Sequence, residues 1–556
     1  MSIEIFEQKD FTGGLNLRSD QFQLQDNESP QMLNVEVDPR GGVFSRGGMS
    51  RLPASAIAGT WSPHRLVPFY STVPRLVLVN DTKIFYYTGA AWTALTHSGG
   101  DIVGTAEDGV SAAAWGTDLY MVTGQAGAAG YKWNGAMSAG STPTVSTTLT
   151  PSGTGTGANQ DWQNTADVTH LKMPRANFIA THANRMFVAG TREAVSGVDT
   201  DFPNRLRWSY EDIPNNWKQS NYIDIEGGGN RITGICVVNG GLVIFKDYAI
   251  YYLLGYDDTD FKVIQISGDA GCSGSDAFVV AQEGVFFYVN THGLHFFDGS
   301  NITNIFEPLR PAFDLGYINT NITNKISLSW MGRRLWMSAP YSVTDSVSVE
   351  TINIVYDPSM GSYTMFSTSD GYGVRGGIDF RNEGGQEQRL ACHPVVQSVV
   401  QVDQYKQNFD AIKVNGDVDG YVTTYRTKWF DAGSFLQRKM FRRPDLVMRE
   451  TASTQSVNVK VYHDYQEADG SQKREFNLEL TSTAVGMKWG QNWTLEGVGQ
   501  NIYQAVWSGS VLGGSIKTAQ NLGLARTVQL NFTGELEKPW GINSIGYKWV
   551  PRRVKG

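Results

Sequence analysis

Cysteine is scarce in this 556-residue chain, which contains three of them. Cys236, Cys272 and Cys392 lie far apart and form no Cys-x-x-Cys pair, so their spacing supports neither a disulfide framework nor a zinc site. An unpaired cysteine packs as a small apolar side chain. We therefore expect three buried free thiols.

Histidine is also rare, and the usual catalytic patterns are missing. The 8 histidines form no HExxH, HxH or Cys/His cluster, and no Gly-x-Ser-x-Gly turn occurs. The glycine-rich run 268–276 lacks the Lys-Ser/Thr ending of a phosphate-binding loop, and Asp257–Asp260 lacks the spacing of a calcium loop. The sequence predicts a protein that is not an enzyme, with no catalytic residue, cofactor or metal.

Charged residues and long apolar runs are few. Charged residues make up 18% of the chain and the formal net charge is −8, which argues against a surface that binds nucleic acid all over. No stretch approaches the ~20 apolar residues of a membrane span. The segment 1–10 carries three acidic residues and no apolar core, so we expect no secretory signal and assembly in a cytoplasm.

Aromatic residues (12%) and glycines (61) are abundant, and they follow a recurrent pattern. An apolar run beside a Gly, Asn or Asp turn precedes an aromatic-rich run that ends at Gly, Asp or Trp. Such residues suit half-buried antiparallel strands with tight turns. Copies recur every ~40–65 residues, at or above propeller blade periods. The seven copies are 76–80 with 84–89, 118–122 with 131–135, 185–189 with 206–210, 241–245 with 250–255, 284–290 with 293–299, 334–338 with 354–358, and 389–393 with 399–403.

One small sheet cannot bury both of its faces, but radial packing against similar sheets can do so. The sequence therefore predicts an all-β protein with an irregular β-propeller of about six to seven blades over residues 61–404. A Ser/Thr/Gly-rich insertion near 138–165 is expected to be a surface loop. The alternative is a pair of ordinary β-sandwiches.

The two ends of the chain follow other patterns. Residues 1–60 are predicted to form an extended arm that packs along the outside of the propeller or against a neighbouring subunit. Residues 405–556 carry longer alternating strands, for example 421–430 and 542–550, which predict a C-terminal β-sandwich-like domain.

A basic stretch between residues 426 and 449 interleaves arginines and lysines with aromatics. It could contact nucleic acid through stacking and phosphate binding, or it could cover an inter-domain or inter-subunit surface. The net negative charge of the chain favours the second interpretation, that the stretch covers an inter-domain or inter-subunit surface. The side chains that we predict as assembly contacts are Phe11, Leu15, Leu17, Arg40, Arg442, Arg443, Arg552 and Arg553.

Several short motifs resemble those of one group of tailed-bacteriophage virion proteins. The segments that carry the resemblance are Asp10–Asn16 with its GGLN, Asp38–Val43 with its DPRGG, Asn204–Tyr210, Ile232–Ile235, Leu242–Lys246 and Ile545–Arg553. Together they resemble the tail nozzle or tail tubular protein B family of short-tailed phages, also described as packaged-DNA stabilisation proteins.

The resemblance implies a subunit built around a β-propeller with added β domains. It also implies six copies in a hollow tip below the tail adaptor ring, which retain packaged duplex DNA, conduct it without sequence-specific binding and anchor fibre or spike proteins. The protein would then belong to the virion tail. The family has no catalytic residues to carry over.

Two other hypotheses compete with this structural role. One is a monomeric or trimeric propeller that recognises a host surface glycan as a receptor-binding tail protein. The other is a propeller carbohydrate hydrolase, which needs two facing carboxylates at a defined separation. The assembly state separates the structural role from the binding module.

Overall fold

The structure is a computed structural model of the whole chain, and it describes most of it. The described residues are 3–21, 23–52, 57, 61–80, 83–97, 100–102, 110–124, 130–137, 170–314, 318, 326–340, 351–404, 409–413, 417–449, 455–466, 473–480, 515–517 and 521–552. The predicted insertion near 138–165 lies outside them.

The described residues are almost entirely β-structure, as predicted. The first strands are β1 (Glu4–Gln8), β2 (Gly14–Leu15), β3 (Glu28–Ser29), β4 (Gln31–Leu33), β5 (Val35–Val37), β6 (Val43–Ser45), β7 (Gly48–Arg51), β8 (Pro63–Tyr70), β9 (Pro74–Asn80), β10 (Ile84–Tyr87), β11 (Trp92–Ala94), β12 (Thr96–His97), β13 (Gly100–Asp101), β14 (Ser111–Trp115), β15 (Asp118–Val122), β16 (Tyr131–Trp133), β17 (Arg175–His182), β18 (Arg185–Val195), β19 (Val198–Tyr210), β20 (Ile213–Asp224), β21 (Ile232–Val238) and β22 (Gly241–Lys246).

The later strands are β23 (Ile250–Leu254), β24 (Lys262–Ser267), β25 (Phe278–Ala281), β26 (Gly284–Val289), β27 (Gly293–Phe297), β28 (Ile302–Asn304), β29 (Ser327–Met331), β30 (Arg334–Pro340), β31 (Thr351–Asp357), β32 (Ser362–Phe366), β33 (Arg375–Arg381), β34 (Glu387–Cys392), β35 (Val399–Gln404), β36 (Thr424–Arg426), β37 (Lys439–Phe441), β38 (Asp445–Met448), β39 (Gln455–His463), β40 (Arg474–Leu480), β41 (Ser515–Lys517), β42 (Gly523–Ala525), β43 (Val528–Gly534) and β44 (Gly541–Pro551). One 3₁₀ turn, Glu307–Leu309, leads into the short helix α1 (Arg310–Asp314).

Five propeller blades form separate antiparallel sheets within the described residues. They are β8–β11, β14–β16, β17–β20, β21–β24 and β25–β28, and in each one consecutive strands pair as neighbours. In each of these five blades, the strand pair that the sequence predicts forms the second and third strands. Ile84 pairs with Val79, for example, and Leu242 pairs with Leu253.

Two further meanders have the same build but belong to one large sheet. β29–β32 and β33–β35 follow the blade pattern, and a single parallel pair, Trp330 with Ile378, joins them within a sheet of 13 strands. The predicted number of about six to seven blades is therefore reached only when these two merged meanders are counted, because the separate sheets number five in the described part of the chain.

The last merged meander packs back onto the first blade, so the meanders close around a common axis. β33 contacts β8. Gly376 of β33 has φ +58°, and a Cβ there would lie 2.3 Å from the backbone oxygen of His64. Only glycine allows the two strands to approach this closely.

Apolar side chains from neighbouring blades share one core at each junction. Between the first two blades, Val77 and Tyr86 pack with Leu119 and Met121, and all four are buried. This is the shared burial of apolar faces that the repeat pattern predicts.

The N-terminal segment pairs with the chain's own strands, and β4 does so at the outer edge of the propeller strand β32. β7 pairs with β35 and completes the last merged meander, while β4 lies between β32 and β36 in the 13-stranded sheet. β1 pairs with β44. The apolar residues of this segment find their burial inside the chain's own sheets because free strand edges are available there.

The C-terminal residues form two facing sheets, in keeping with the predicted sandwich-like domain. One consists of β40, β39, β43 and β36 and continues through β4 into the propeller, and the other is built on β38, β44 and β37 with β1 and β6. Val459 and Phe532 from the first sheet share a core with Phe441 and Tyr547 from the second. The predicted boundary near residue 405 stays a prediction.

The three cysteines are free and buried, as predicted, and burial raises the pKa of the Cys272 and Cys392 thiols to about 12. Among the described residues no helix is both long enough and apolar enough to cross a membrane.

Candidate assembly surface

The GGLN motif fixes the N-terminal segment to the propeller. Gly14 has φ +65°, and a Cβ there would lie 2.8 Å from both the Ser362 Cβ and the Tyr363 backbone oxygen. Leu15 next to it is buried, and the Asn16 side-chain amide donates to Glu28 over 2.8 Å. The motif therefore serves a tight contact within the chain.

Replacing Gly14 with Ala is expected to lower the free energy of unfolding by about 1–3 kcal/mol, because the substitution combines positive φ with a steric clash. Chemical denaturation followed by tryptophan fluorescence measures the change. Gly240→Ala is the matched control, since Gly240 has φ +80° but open space around the position of a Cβ. Equal losses in the two variants would contradict a clash at Gly14.

The DPRGG motif forms a turn with an internal ion pair. The Arg40 guanidinium donates to the Asp38 carboxylate over 2.8 Å, and Arg449 lies 3.1 Å from the same carboxylate. The hydrogen bond from Arg40, opposed by partial burial and helped by the charge of Arg449, lowers the pKa of Asp38 to about 2. Arg40 is exposed but already has an acidic partner.

Arg46, four residues beyond this turn, connects the N-terminal segment with distant parts of the chain. Its guanidinium forms a bidentate pair with Asp410 at 3.1 and 2.8 Å, and both side chains are 0% exposed. It also donates to the Asn34 side chain over 2.9 Å and to the backbone oxygens of Gly47 and Ser367 over 2.7 and 2.8 Å. The five donors of a guanidinium are thereby used in one buried site.

The motif at Asn204–Tyr210 supplies a second buried ion cluster. Arg207 donates to Glu193 over 2.6 and 2.8 Å, and Arg205 donates to the same carboxylate over 3.1 Å. Burial raises the pKa of Glu193, but the two arginines and Thr191 outweigh burial and hold it below its ordinary value. The sequence alone does not show this cluster, because Glu193 lies on β18 and the two arginines lie on β19.

A third cluster lies where the inner strands of several blades begin. The buried Asp276 carboxylate accepts from His64 Nδ1 over 2.9 Å, and it lies 3.2 Å from a terminal nitrogen of Arg65 and of Arg375. Burial raises the pKa of Asp276, but the nearby positive charges and the hydrogen bond from His64 hold it well below its usual range. The cluster joins β8 to β33 and to the segment before β25, and its residues are too far apart in sequence to form a motif.

The predicted assembly contacts fall into two groups. Phe11 and Leu15 are buried in the chain's own core and Leu17 packs against it, so Phe11 and Leu15 are corrected as candidates for contact with a neighbour. Arg40 is exposed but paired with Asp38. The exposed arginines that remain are Arg442, Arg443 and Arg552, and Arg553 lies outside the described residues.

The remaining arginines lie on or beside one sheet face. Cross-strand pairing places Phe6 beside Tyr547 and Phe441 beside Trp549, and these side chains point into the core. Because side chains alternate between the two faces of a strand, the residues between them point outward. This outer face carries Ile5, Lys548, Val550, Met440 and Leu524, which pair across β1, β44, β37 and β42.

The outer face is apolar at its centre and exposed. Ile3, Ile5 and Leu524 have exposed fractions from 41% at Leu524 to 65% at Ile5. Contiguous exposed apolar residues in a soluble protein commonly mark an interaction site.

Arginines line the same face. Arg442 follows Met440 by two residues, and its backbone N–H donates to the Lys548 oxygen over 2.7 Å. Arg438 and Arg552 are directly opposite each other, since the Arg552 N–H donates to the Arg438 oxygen over 3.1 Å. Like charges in directly opposite positions of two strands are destabilising.

These arginines have no acidic partner in the part of the chain that the structure describes. Within the described residues, no carboxylate lies within ion-pair distance of Arg438, Arg442, Arg443 or Arg552, and all four are exposed. We call the outer face together with these four residues the arginine-lined face. It is suited to an anionic partner that also covers apolar area.

The basic stretch between 426 and 449 therefore has two parts. Some of its residues belong to the arginine-lined face, and others form contacts within the chain. Lys428 pairs with Asp26, Lys439 is buried and donates to the Asp431 backbone oxygen, and Arg449 pairs with Asp38. The aromatic residues do not form a row of stacking rings, because Trp429, Phe430 and Phe441 are buried. This arrangement fits the structural interpretation better than base stacking.

No protein-family model and no curated protein matches the chain. Among solved structures, it is similar to a "putative 6-phosphogluconolactonase" from Bacteroides uniformis, with 10% identity, a TM-score of 0.32, and coverage of 62% of this chain and 96% of the other. It is also similar to the N-terminal domain of Nup159, with 11% identity, a TM-score of 0.29, and coverage of 65% and 80%. The assignment of a β-propeller with an added two-sheet domain therefore rests on the sheets of this chain itself, and neither likeness bears on activity.

Proposed function

We propose that the protein is a structural component of a bacteriophage tail. Copies of it form a ring-shaped nozzle, with six subunits as the expected number, that retains packaged DNA and conducts it on ejection. The tail adaptor ring and fibre or spike proteins are its expected neighbours. It is assembled in the host cytoplasm and resides in the virion tail.

The observation that carries this proposal is the arginine-lined face. The buried Arg46 and Arg207 have internal acidic partners, while this face holds four exposed arginines and exposed apolar side chains together. Interface cores are enriched in arginine, methionine and aromatic residues. A face of this composition supports a role in assembly.

The resemblance of several short motifs to those of the nozzle family also supports the proposal. GGLN, DPRGG and the Asn204–Tyr210 segment maintain a tight approach, a turn and a buried ion cluster within the chain. They are therefore the residues whose replacement would disturb the fold. Their presence here supports a shared architecture with the nozzle family rather than a shared binding site.

The proposal is tested by the assembly state of the purified full chain. Mass photometry at nanomolar concentration and negative-stain imaging at micromolar concentration are expected to show rings with a lumen wide enough for duplex DNA. A chain that stays monomeric at both concentrations, and in virions, would contradict the nozzle and favour a monomeric binding module.

A further inference from the structure

A second exposed surface lies on the propeller, at one end of two adjacent blades. It consists of the turn between β19 and β20 and the loop between β23 and β24. Its apolar residues are Ile213, Leu254 and Tyr256, with exposed fractions from 42% at Leu254 to 73% at Tyr256. We call this surface the acidic blade patch.

Carboxylates surround the apolar residues of this patch. Glu211, Asp212, Asp257 and Asp260 are all exposed. Two basic residues lie at this patch. The buried Arg185 shares its charge with Asp258 at 3.1 Å and Glu211 at 3.3 Å, and the exposed Lys262 is paired with Leu254 across β23 and β24, so the carboxylates outnumber the basic groups. The patch therefore combines an apolar centre with a negative edge.

The acidic blade patch is held in one conformation. Arg185 donates to the Tyr256 backbone oxygen over 2.8 Å, which ties the loop of one blade to the turn of the next. The Asp260 carboxylate accepts from the backbone N–H groups of Tyr256 and Asp257 over 2.9 and 2.8 Å. A rigid surface loses little conformational entropy when it binds.

We propose that the arginine-lined face of one copy docks on the acidic blade patch of the next copy. Both surfaces have exposed apolar side chains at the centre, and their edges carry opposite charges. The docking would give Arg438 and Arg552 the acidic partners that they lack within the chain, and it would cover Tyr256, an aromatic residue of the kind that anchors interfaces.

The positions of the two surfaces determine the type of assembly. The arginine-lined face belongs to the two-sheet region, which joins the propeller through β4 at the outer edge of β32. The acidic blade patch lies on β17–β20 and β21–β24, which are other blades of the propeller. A contact between two different surfaces is heterologous and repeats from copy to copy, so it closes into a ring when the rotation allows it.

Duplex DNA is the rival partner for the four arginines, since a polyanion would also relieve their repulsion. The composition of the face argues against it. Phosphate-binding surfaces are polar and strongly positive, whereas here Ile5, Val550, Met440 and Leu524 form the centre of the face. Apolar area of this kind matches a protein surface.

This inference rests on the proposed ring, and its test uses two full-length variants. Arg438→Glu with Arg552→Glu disables the arginine-lined face, and Asp212→Lys with Tyr256→Ala disables the acidic blade patch. Each variant is expected to remain monomeric under conditions in which the wild-type chain forms rings. Mixed in equal amounts, they are expected to form a dimer and nothing larger, because each partner retains one intact surface of the pair.

Arg333→Glu with Arg381→Glu is the matched control, because it reverses two exposed arginines of the merged meanders, one on the turn before β30 and one at the end of β33. It is expected to assemble as the wild type does, and unfolding midpoints near the wild-type value confirm that all variants fold. Rings formed by either disabling variant, or a mixture that stays monomeric, would overturn the docking while leaving the nozzle intact. A wild-type chain that forms no ring would overturn both.

A gel shift with duplex DNA distinguishes docking between copies from DNA binding as the role of the four arginines. If the Arg438→Glu/Arg552→Glu variant still forms rings but loses DNA binding that the wild type has, the arginines serve nucleic acid and the docking is wrong. Unchanged DNA binding together with lost assembly is the result that the inference requires.

Discussion

Replacing Asp276 with Asn is expected to lower the free energy of unfolding by about 3–5 kcal/mol, the usual cost of breaking a buried ion pair from one side. The substitution keeps the shape of the side chain but leaves Arg375, which is 8% exposed, without its carboxylate. Arg65 and His64 lose the same partner. Urea denaturation followed by tryptophan fluorescence measures the loss.

Asp201→Asn provides the matched control. Asp201 is paired with Arg192 at 3.5 Å, but both side chains are substantially exposed, so the expected loss is below about 1 kcal/mol. If the two variants lose equal stability, the central cluster does not hold the blades together as described.

The Asp276 cluster also leads to a prediction about the stability of the fold at low pH. The pKa of Asp276 is lower in the folded chain than the ~3.9 of an unfolded aspartate, so its charge stabilises the fold at pH values above ~4. This contribution is lost as the pH falls below ~4 towards the lower pKa of the folded state. The difference in stability between the wild type and the Asp276→Asn variant should therefore shrink as the pH falls below ~4.

The second large effect is expected at Arg46. Arg46→Ala leaves the fully buried Asp410 without its bidentate partner and removes a guanidinium that stacks 3.7 Å from the centre of the Tyr421 ring. We expect a loss of about 3–5 kcal/mol. Since Asp410 also accepts from the backbone N–H groups of Met49 and Ser369, the loss should reach β7, and hydrogen exchange in residues 48–51 should become faster.

Arg46→Lys separates charge from shape at this site. An ammonium group retains the positive charge but cannot reproduce the planar fork that meets Asp410, Asn34 and Ser367 together. Its loss should therefore approach that of the alanine variant. Arg40→Ala is the control, because Arg40 is highly exposed and its ion pair contributes little. Wild-type stability in the lysine variant would show that only the charge matters.

Sequence reasoning identified the middle of each blade. The second and third strands are bounded by tight turns and rich in aromatic and branched residues, so pairs such as β26 with β27 and β30 with β31 were predicted where they occur. The first strands escaped notice because their composition is atypical. β8 contains Pro63 and Pro68, β14 is mostly alanine, and β33 contains Gly376 and Gly377, which a close approach to β8 and Met331 requires.

The role of the N-terminal segment could not be predicted for a different reason. β7 pairs with β35, and β4 pairs with β36, across more than 300 residues of chain. Local patterns show that such a strand is apolar but not which edge it will meet. The same limit explains why the sequence indicated Arg442 and Arg552 separately but did not show that they share a face with Ile5.

The pairing of β1 with β44 has a consequence for how the protein is made. Glu4 lies opposite Trp549, so β1 leaves the ribosome long before its partner strand β44 and has to wait for it. At a synthesis rate of about 5–20 residues per second, this delay is roughly 30 to 110 seconds. During it, Phe11 and Leu15 have no finished core to enter, and crowded nascent chains on one messenger can exchange these segments. A lower density of ribosomes on the messenger, or a chaperone that holds the N-terminal segment, should therefore raise the yield of correctly closed subunits.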